Sequence, residues 1–227
     1  MSTIDKLIAE NPIFGGLSAD QRSGLISQAV QRRYQNGEVV CLAGEIWPYF
    51  FMIEKGSVGA HKQSAEGRLL IVTSFSAGDV FWGLAFFQEQ MPQPVTLVAE
   101  KAVHLFRWSS SVLQPFFQQY PLMSWELARL MILKMKVANE ILEGIAFQPV
   151  AGRLAKLLLE VGSSDPDQAI TRSLTLDEMA ARVGSTREMI CRFLHRFADD
   201  GIIEITRTEY RITNPAQLMA VSKYSKG

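Results

Sequence analysis

Residues 175–199 read TLDEMAARVGSTREMICRFLHRFAD, and this stretch decides how the rest of the chain is organised. Thr175-Leu176-Asp177-Glu178 and Ser185-Thr186-Arg187-Glu188 both have the form of a capping box, a hydroxyl residue with glutamate at the third helical position. Helices are therefore predicted over Thr175–Val183 and Thr186–Asp199, joined by a tight turn at Gly184-Ser185. Helix, short glycine-containing turn, helix is the helix-turn-helix layout. On the second helix Met189, Ile190, Phe193, Leu194 and Phe197 fall on one face, the side expected to pack inward. That leaves Arg187, Glu188, Cys191, Arg192 and His195 on an outer stripe. Arg187 and Glu188 sit in the first turn, the part of such a helix that reaches base edges. Arginine offers a paired donor to guanine, and glutamate accepts from the cytosine amino group. The competing reading is a solvated charged face with a Glu188–Arg192 helix pair. The capping pattern, the turn and a following hairpin, Ile202–Thr206 and Tyr210–Thr213 around Arg207-Thr208-Glu209, favour DNA reading.

Upstream, Gly152–Gly162 is amphipathic and leads into a loop at Ser163–Gln168 rich in Ser, Asp and Pro. Before it, Leu122–Ala146 is a long helical stretch free of proline, with glycine only at Gly144. Ser124, Ala128, Met131, Met135, Ala138, Leu142 and Ile145 recur there at alternating spacings of four and three, a heptad seam. Such a stripe either packs on the neighbouring domain or meets a second copy. Leu127, Leu130 and Leu133 make the opposite face apolar too, and a helix apolar on two faces needs two partners, which favours a dimer seam. Ser111–Tyr120 reads as a short helix ended by Pro121.

From Val30 to Arg107 the pattern is of short β-rich runs: Val39–Leu42, Tyr49–Glu54, Val58–His61, Leu69–Phe75, Val95–Ala99 and Val103–Phe106. Turn residues such as Asn36-Gly37, Lys55-Gly56 and Gly78-Asp79 separate them, which predicts an antiparallel sandwich or jelly roll. Ile4–Leu7 and Ala19–Ala29 read as short helices, the second with Ser18 and Gln21 placed for a capping box.

The composition bounds the rest. With 227 residues, 48% apolar and 20% charged, the chain is globular and long enough for two ordinary domains. Lys plus Arg and Asp plus Glu are 23 each, so a grip on nucleic acid has to come from a local patch. Cys41 and Cys191, far apart, cannot form a disulfide framework, a four-thiolate zinc site or an iron–sulfur ligand set. No apolar run reaches membrane-spanning length and no signal core follows Met1, so a cytoplasmic protein is expected. His61 and His104 lack metal-site spacing and are read as structural. No nucleophile, base and orienting group come together as a catalytic set, and Cys191 is read as a small neutral residue near DNA rather than a redox handle.

At this point the chain resembles the Crp/Fnr family of bacterial transcription regulators over nearly its whole length. The likeness is carried by Gly78-Asp79, by Ala146-Phe147 with Val150-Ala151-Gly152-Arg153-Leu154-Ala155, and by Thr175, Glu178, Ala180, Val183-Gly184, Thr186-Arg187-Glu188, Arg192 and Leu194. The resemblance implies that Arg187, Glu188 and Arg192 read bases and that Ser185 and Thr186 contact phosphate. It also implies that the hairpin is a wing with Arg207 on the backbone, and that the target is a TGTGA-like inverted repeat.

The resemblance fails at the effector cassette. Cyclic-nucleotide-binding members place a glycine–glutamate pair on the ribose, and an arginine with a small hydroxyl residue on the phosphate. Aligned through Gly78-Asp79, this chain has Trp82-Gly83 and Gln93-Pro94 there, and no Lys or Arg between Leu69 and Glu100. Ala138 and Asn139 stand at the long-helix positions that would face a nucleobase. Phe81, Trp82, Phe86 and Phe87 fill the cassette instead, either as core or as the lining of an apolar pocket for a haem, an aromatic compound or a lipid-like effector.

The expectation is thus an α+β chain: a β jelly-roll sensor domain over 1–121, a long dimerisation helix over 122–146, and a winged helix-turn-helix domain over 147–227. The expected partners are double-stranded DNA, a second copy of the chain and, for an activator, RNA polymerase. An enzyme is not expected, and no metal or resident cofactor is predicted. The rival reading is a sensor module for haem or an apolar effector whose helix-turn-helix makes protein contacts only.

Overall fold

The computed structural model describes residues 3–161, 170–171, 174–206 and 209–223. The loop expected at Ser163–Gln168 and the wing-tip Arg207 lie outside these described residues. The chain packs as two units, Met1–Lys62 with Val72–Met135, and Gln63–Ile71 with Lys136–Gly227.

Eight strands form the N-terminal architecture: β1 (Val30–Tyr34), β2 (Val39–Cys41), β3 (Tyr49–Lys55), β4 (Ser57–Gln63), β5 (Leu69–Ser76), β6 (Val80–Trp82), β7 (Thr96–Ala99) and β8 (Val103–Ser109). They make two four-stranded sheets, β1-β8-β3-β6 and β2-β7-β4-β5, and β1 with β8, β3 with β8 and β6, and β7 with β2 and β4 are antiparallel. This is the jelly-roll arrangement anticipated. Val40, Phe51, Ile53, Val58, Phe81, Leu97 and Leu105 supply one buried core drawn from both sheets. The alternate residues of β3, Phe50 and Met52, face a second core, which explains why this strand is apolar throughout. That second core is closed by α1 (Thr3–Glu10), α2 (Ala19–Ser27), α3 (Ser110–Gln119) and the first turns of α4 (Pro121–Phe147). Ser18 and Gln21 form the capping box of α2, and the Trp108 indole N–H donates to the Leu25 carbonyl at 2.9 Å.

Three local expectations need correction. Pro121 does not merely stop α3; it is the first residue of α4, where its missing N–H costs nothing. α3 itself carries Pro115 inside it. Leu133, expected on the packed face of α4, is exposed, while Met123 and Leu127 are buried and Leu130 is partly buried. β1 and β6 were not among the clearest strand signals, because β1 is an exposed edge rich in polar residues and β6 is only three residues long.

The second unit holds α5 (Val150–Val161), α6 (Leu176–Val183), α7 (Arg187–Asp199) and α8 (Pro215–Lys223), with a three-stranded sheet. Its strands β9 (Ile170–Thr171), β10 (Ile203–Ile205) and β11 (Glu209–Ile212) run in the order β10-β11-β9, and β11 is antiparallel to both neighbours. Leu154 and Leu158 of α5, Ile190 and Leu194 of α7, Ile203, Ile212 and Leu218 meet in one core. Burying a leucine of this kind is worth about 2–3 kcal/mol before entropy is counted, so α5 anchors both α6 and α7.

Candidate nucleic-acid interface

Thr175 caps α6: its hydroxyl accepts from the Glu178 N–H at 3.2 Å, and the Glu178 carboxylate accepts from the Thr175 N–H at 2.7 Å. Gly184 ends the helix at φ +67°, a left-handed backbone that favours glycine. The amides of Gly184 and Ser185 both turn back to the Ala180 carbonyl. This fixes where the next helix starts. Thr186, not Ser185, is the cap of α7, and its hydroxyl accepts from the Met189 N–H at 3.4 Å. The second capping box expected from sequence is therefore not formed, because the third helical position belongs to Met189 rather than Glu188.

On α7 Ile190, Leu194 and Phe197 are buried and Met189 and Phe193 half-buried, while Arg187, Glu188, Arg192 and His195 are exposed and Cys191 is intermediate. The expected outer stripe is thus open on one side of the helix. Arg187 reaches across to α6, with Nη1 2.7 Å from Asp177 Oδ2. Arg192 donates to the Met189 sulfur at 2.8 Å and lies 5.6 Å from the Phe193 ring centroid. Hydrogen bonds from its own backbone N–H and from the Thr186 hydroxyl hold Glu188 below the usual carboxylate range, so it is ionised at neutral pH. Ser185 and Thr186 stand at the N-terminal end of α7, where backbone N–H groups lack helical acceptors and the peptide dipoles favour an anion. β10 and β11 follow as a hairpin.

The cassette region is packed. Trp47, Phe51, Phe81 and Phe75 form a continuous stack with centroid separations of 4.9, 4.7 and 5.1 Å, and the Lys134 ammonium lies 5.0 Å from the Phe75 ring centroid. Trp82 stacks on Phe50 at 5.8 Å, and Phe86 is buried. Gly83 is pressed onto the neighbouring loop: a Cβ there would stand 1.9 Å from the Trp47 carbonyl oxygen. Gln93 is 6% exposed, and its side-chain oxygen accepts from the Leu84 N–H at 3.3 Å. Pro94 is exposed, as are Ala138 and Asn139 further along α4. Trp82, Gly83, Gln93 and Pro94, the residues at the aligned cassette positions, thus bring neither a carboxylate nor a cation there.

On α4 the expected seam residues Ala128, Met131, Met135, Ala138, Leu142 and Ile145 are all exposed in the single chain. Met135 is 61% and Leu142 65% accessible. Sequence reasoning passed over Trp125 and Ile132, exposed by 64% and 61%, although their spacing of seven residues, one heptad, was a signal. It also passed over Trp47, whose role depends on a non-local contact.

Residues 31–120 match the cyclic nucleotide-binding domain family, and residues 152–221 match the Crp-like helix-turn-helix domain family. The chain is 26% identical over 222 residues to a CRP-like cAMP-activated global transcriptional regulator of Mycobacterium tuberculosis, covering 95% of this chain and 98% of that one. It is 27% identical over 177 residues to the cAMP-activated global transcriptional regulator CRP of Salmonella typhimurium, covering 75% and 83% of the two chains. Among solved structures, the c-di-GMP responsive global regulator CLP of Xanthomonas campestris superposes with a TM-score of 0.75 at 20% identity, over 86% of this chain and 99% of that chain. That last likeness bears on fold alone.

Proposed function

The chain belongs to the Crp/Fnr family of DNA-binding transcription regulators, not enzymes, and from that premise we propose that it binds an inverted-repeat, TGTGA-like site as a homodimer without cyclic AMP as its effector. The observation that carries the DNA reading is the open stripe Arg187, Glu188 and Arg192 at the start of a capped α7. In this reading Arg187 and Arg192 donate to guanines, Glu188 accepts from a cytosine amino group, and Ser185 and Thr186 bind phosphate. Arg207, which the family resemblance assigns to the DNA backbone, joins them there. One α7 from each subunit then enters the major groove, half-sites one helical turn apart.

The homodimer reading is supported by the exposed apolar seam Ala128, Met131, Met135, Ala138, Leu142 and Ile145, which water would otherwise wet along half of α4. The names of the two relatives record activation by cAMP, a property of those proteins. Against its transfer stand the Gly83–Trp47 contact, the hydrogen-bonded Gln93 and the stacked aromatics between the sheets. The aromatics read as core. The protein acts in the cytoplasm, with RNA polymerase as its further partner when it activates.

Random-site selection followed by quantitative binding tests this. The selected duplexes are expected to be palindromic, and Arg187→Ala and Arg192→Ala each to cost about 1–3 kcal/mol of discrimination at one base position. Selection without palindromic preference, or full specificity in both variants, would sink the reading in favour of a helix-turn-helix that contacts protein only.

A further inference from the structure

Two helices of the second unit end within reach of one side chain. The carbonyl groups of Gly144 and Gln148 lie at the C-terminal end of α4, and those of Val183 and Gly184 at the end of α6. Carbonyls of a last helical turn mostly lack intrahelical donors, although that of Gly144 also accepts the Gln148 N–H, and the aligned peptide dipoles make that end electronegative. Arg153, near the start of α5, supplies donors to both. Its Nε donates to the Val183 oxygen at 2.8 Å, Nη1 to Gln148 at 2.6 Å and to Gly144 at 3.4 Å, and Nη2 to Gly184 at 3.4 Å. Burial pulls the guanidinium below its ordinary value, but arginine starts high enough to remain a cation.

All these partners are main chain, so what the fork holds is backbone geometry rather than a side-chain rotamer. Gly184 is the left-handed residue that turns the chain out of α6, and Thr186, the cap of α7, follows almost at once. A rigid planar donor set cannot keep these bonds if the end of α4 turns or slides relative to that turn. We propose that Arg153 is a positioning residue for DNA recognition, keying the orientation of α7 to the end of α4. The proposal rests on the DNA-reading role given to α7 above, and it adds the side chain that holds α7 in place for it.

Lysine and glutamine variants separate positioning from plain stability. Lysine keeps the charge but is a point donor that serves one helix end; glutamine loses both charge and fork. Wild type, Arg153→Lys and Arg153→Gln are compared as full chains by hydrogen exchange, thermal unfolding and titration with a duplex selected by the wild type. Arg153→Gln is expected to speed exchange at Gln148, Gly184 and Ser185, amides that are hydrogen-bonded in the native chain, while α5 amides stay protected. Specific affinity is expected to fall about tenfold or more as the charged hydrogen bonds are lost, with affinity for unrelated DNA unchanged. Arg153→Lys should recover thermal stability without recovering either effect. Exchange rising evenly across α5, α6 and α7 would mean a stabilising role only and overturn the proposal. Unchanged exchange, or full rescue by lysine, would overturn it as well. A wild type that selects no duplex refutes the DNA-reading role by itself, and exchange at residues 184–185 then still decides the keying.

Discussion

Arg187 Nη1 lies 2.7 Å from Asp177 Oδ2, so the leading arginine of the stripe proposed to read DNA is held by a carboxylate on the neighbouring helix. Both side chains are exposed, and such pairs are worth about 0–1 kcal/mol in water. The pair has to open before Arg187 can reach a base edge. Asp177→Asn is therefore expected to raise DNA affinity, by up to about fivefold on that energy scale, and to do so most at low salt. Fluorescence anisotropy with a selected duplex checks this, and an unchanged or weaker affinity contradicts it.

The exposed seam on α4 predicts a dimer that one charge disrupts. Met135→Glu places two carboxylates in an apolar interface, at a cost of several kcal/mol. Sedimentation is expected to show a dimeric wild type at micromolar concentration and a largely monomeric variant. A monomeric wild type, or a variant as tightly associated as the parent, would remove the seam assignment.

Neither cyclic AMP nor cyclic GMP is expected to bind with useful affinity. A cyclic phosphate buried without a cation or amide partner loses several kcal/mol, which moves a micromolar site toward millimolar. Gln93, held through its side-chain oxygen on the Leu84 N–H, brings no charge to such a site. Calorimetric titration giving saturable binding tighter than about 0.1 mM would refute this.

Alkali supplies a test of the β core. Cys41 is buried, and burial first, then the nearby Glu45 charge, pushes its thiol from 9.0 up to about 12. The unfolded chain therefore releases this proton at lower pH than the folded one. The stability that Cys41 contributes is intact below about pH 9 and is lost as pH rises toward about 12, with a slope near 1.4 kcal/mol per pH unit for one proton. Tyr34 and Tyr210, raised by burial from 10.0, add to the loss at the upper end. Urea unfolding across this range should show a shallower decline in Cys41→Val than in wild type. Parallel profiles would show that the thiol does not titrate as described.

Short-range signals made the helix-turn-helix readable. Thr175 with Glu178, the single Gly184 and the apolar spacing of Ile190, Leu194 and Phe197 each act within a few residues, and all appear in the fold. The start of α7 was misread by one position because Ser185 and Thr186 are adjacent candidate caps. The choice between them is made by the Ser185 amide, which is committed to Ala180. The cassette was legible as an absence of lysine and arginine, but its packing was not. Trp47 comes from a loop far upstream, and only the sheet topology brings its carbonyl onto Gly83. Arg153 was visible as part of a family motif, whereas its carbonyl partners on two other helices leave no mark in side-chain pattern.

The closeness of Gly83 to Trp47 also limits what a single substitution can do. A glutamate at 83 needs a Cβ, and the space for that atom is held by a main-chain oxygen, which no change of side chain at 47 removes. A carboxylate at this position thus requires the loop before β3 to be rebuilt, and Gly83→Glu alone opens no site.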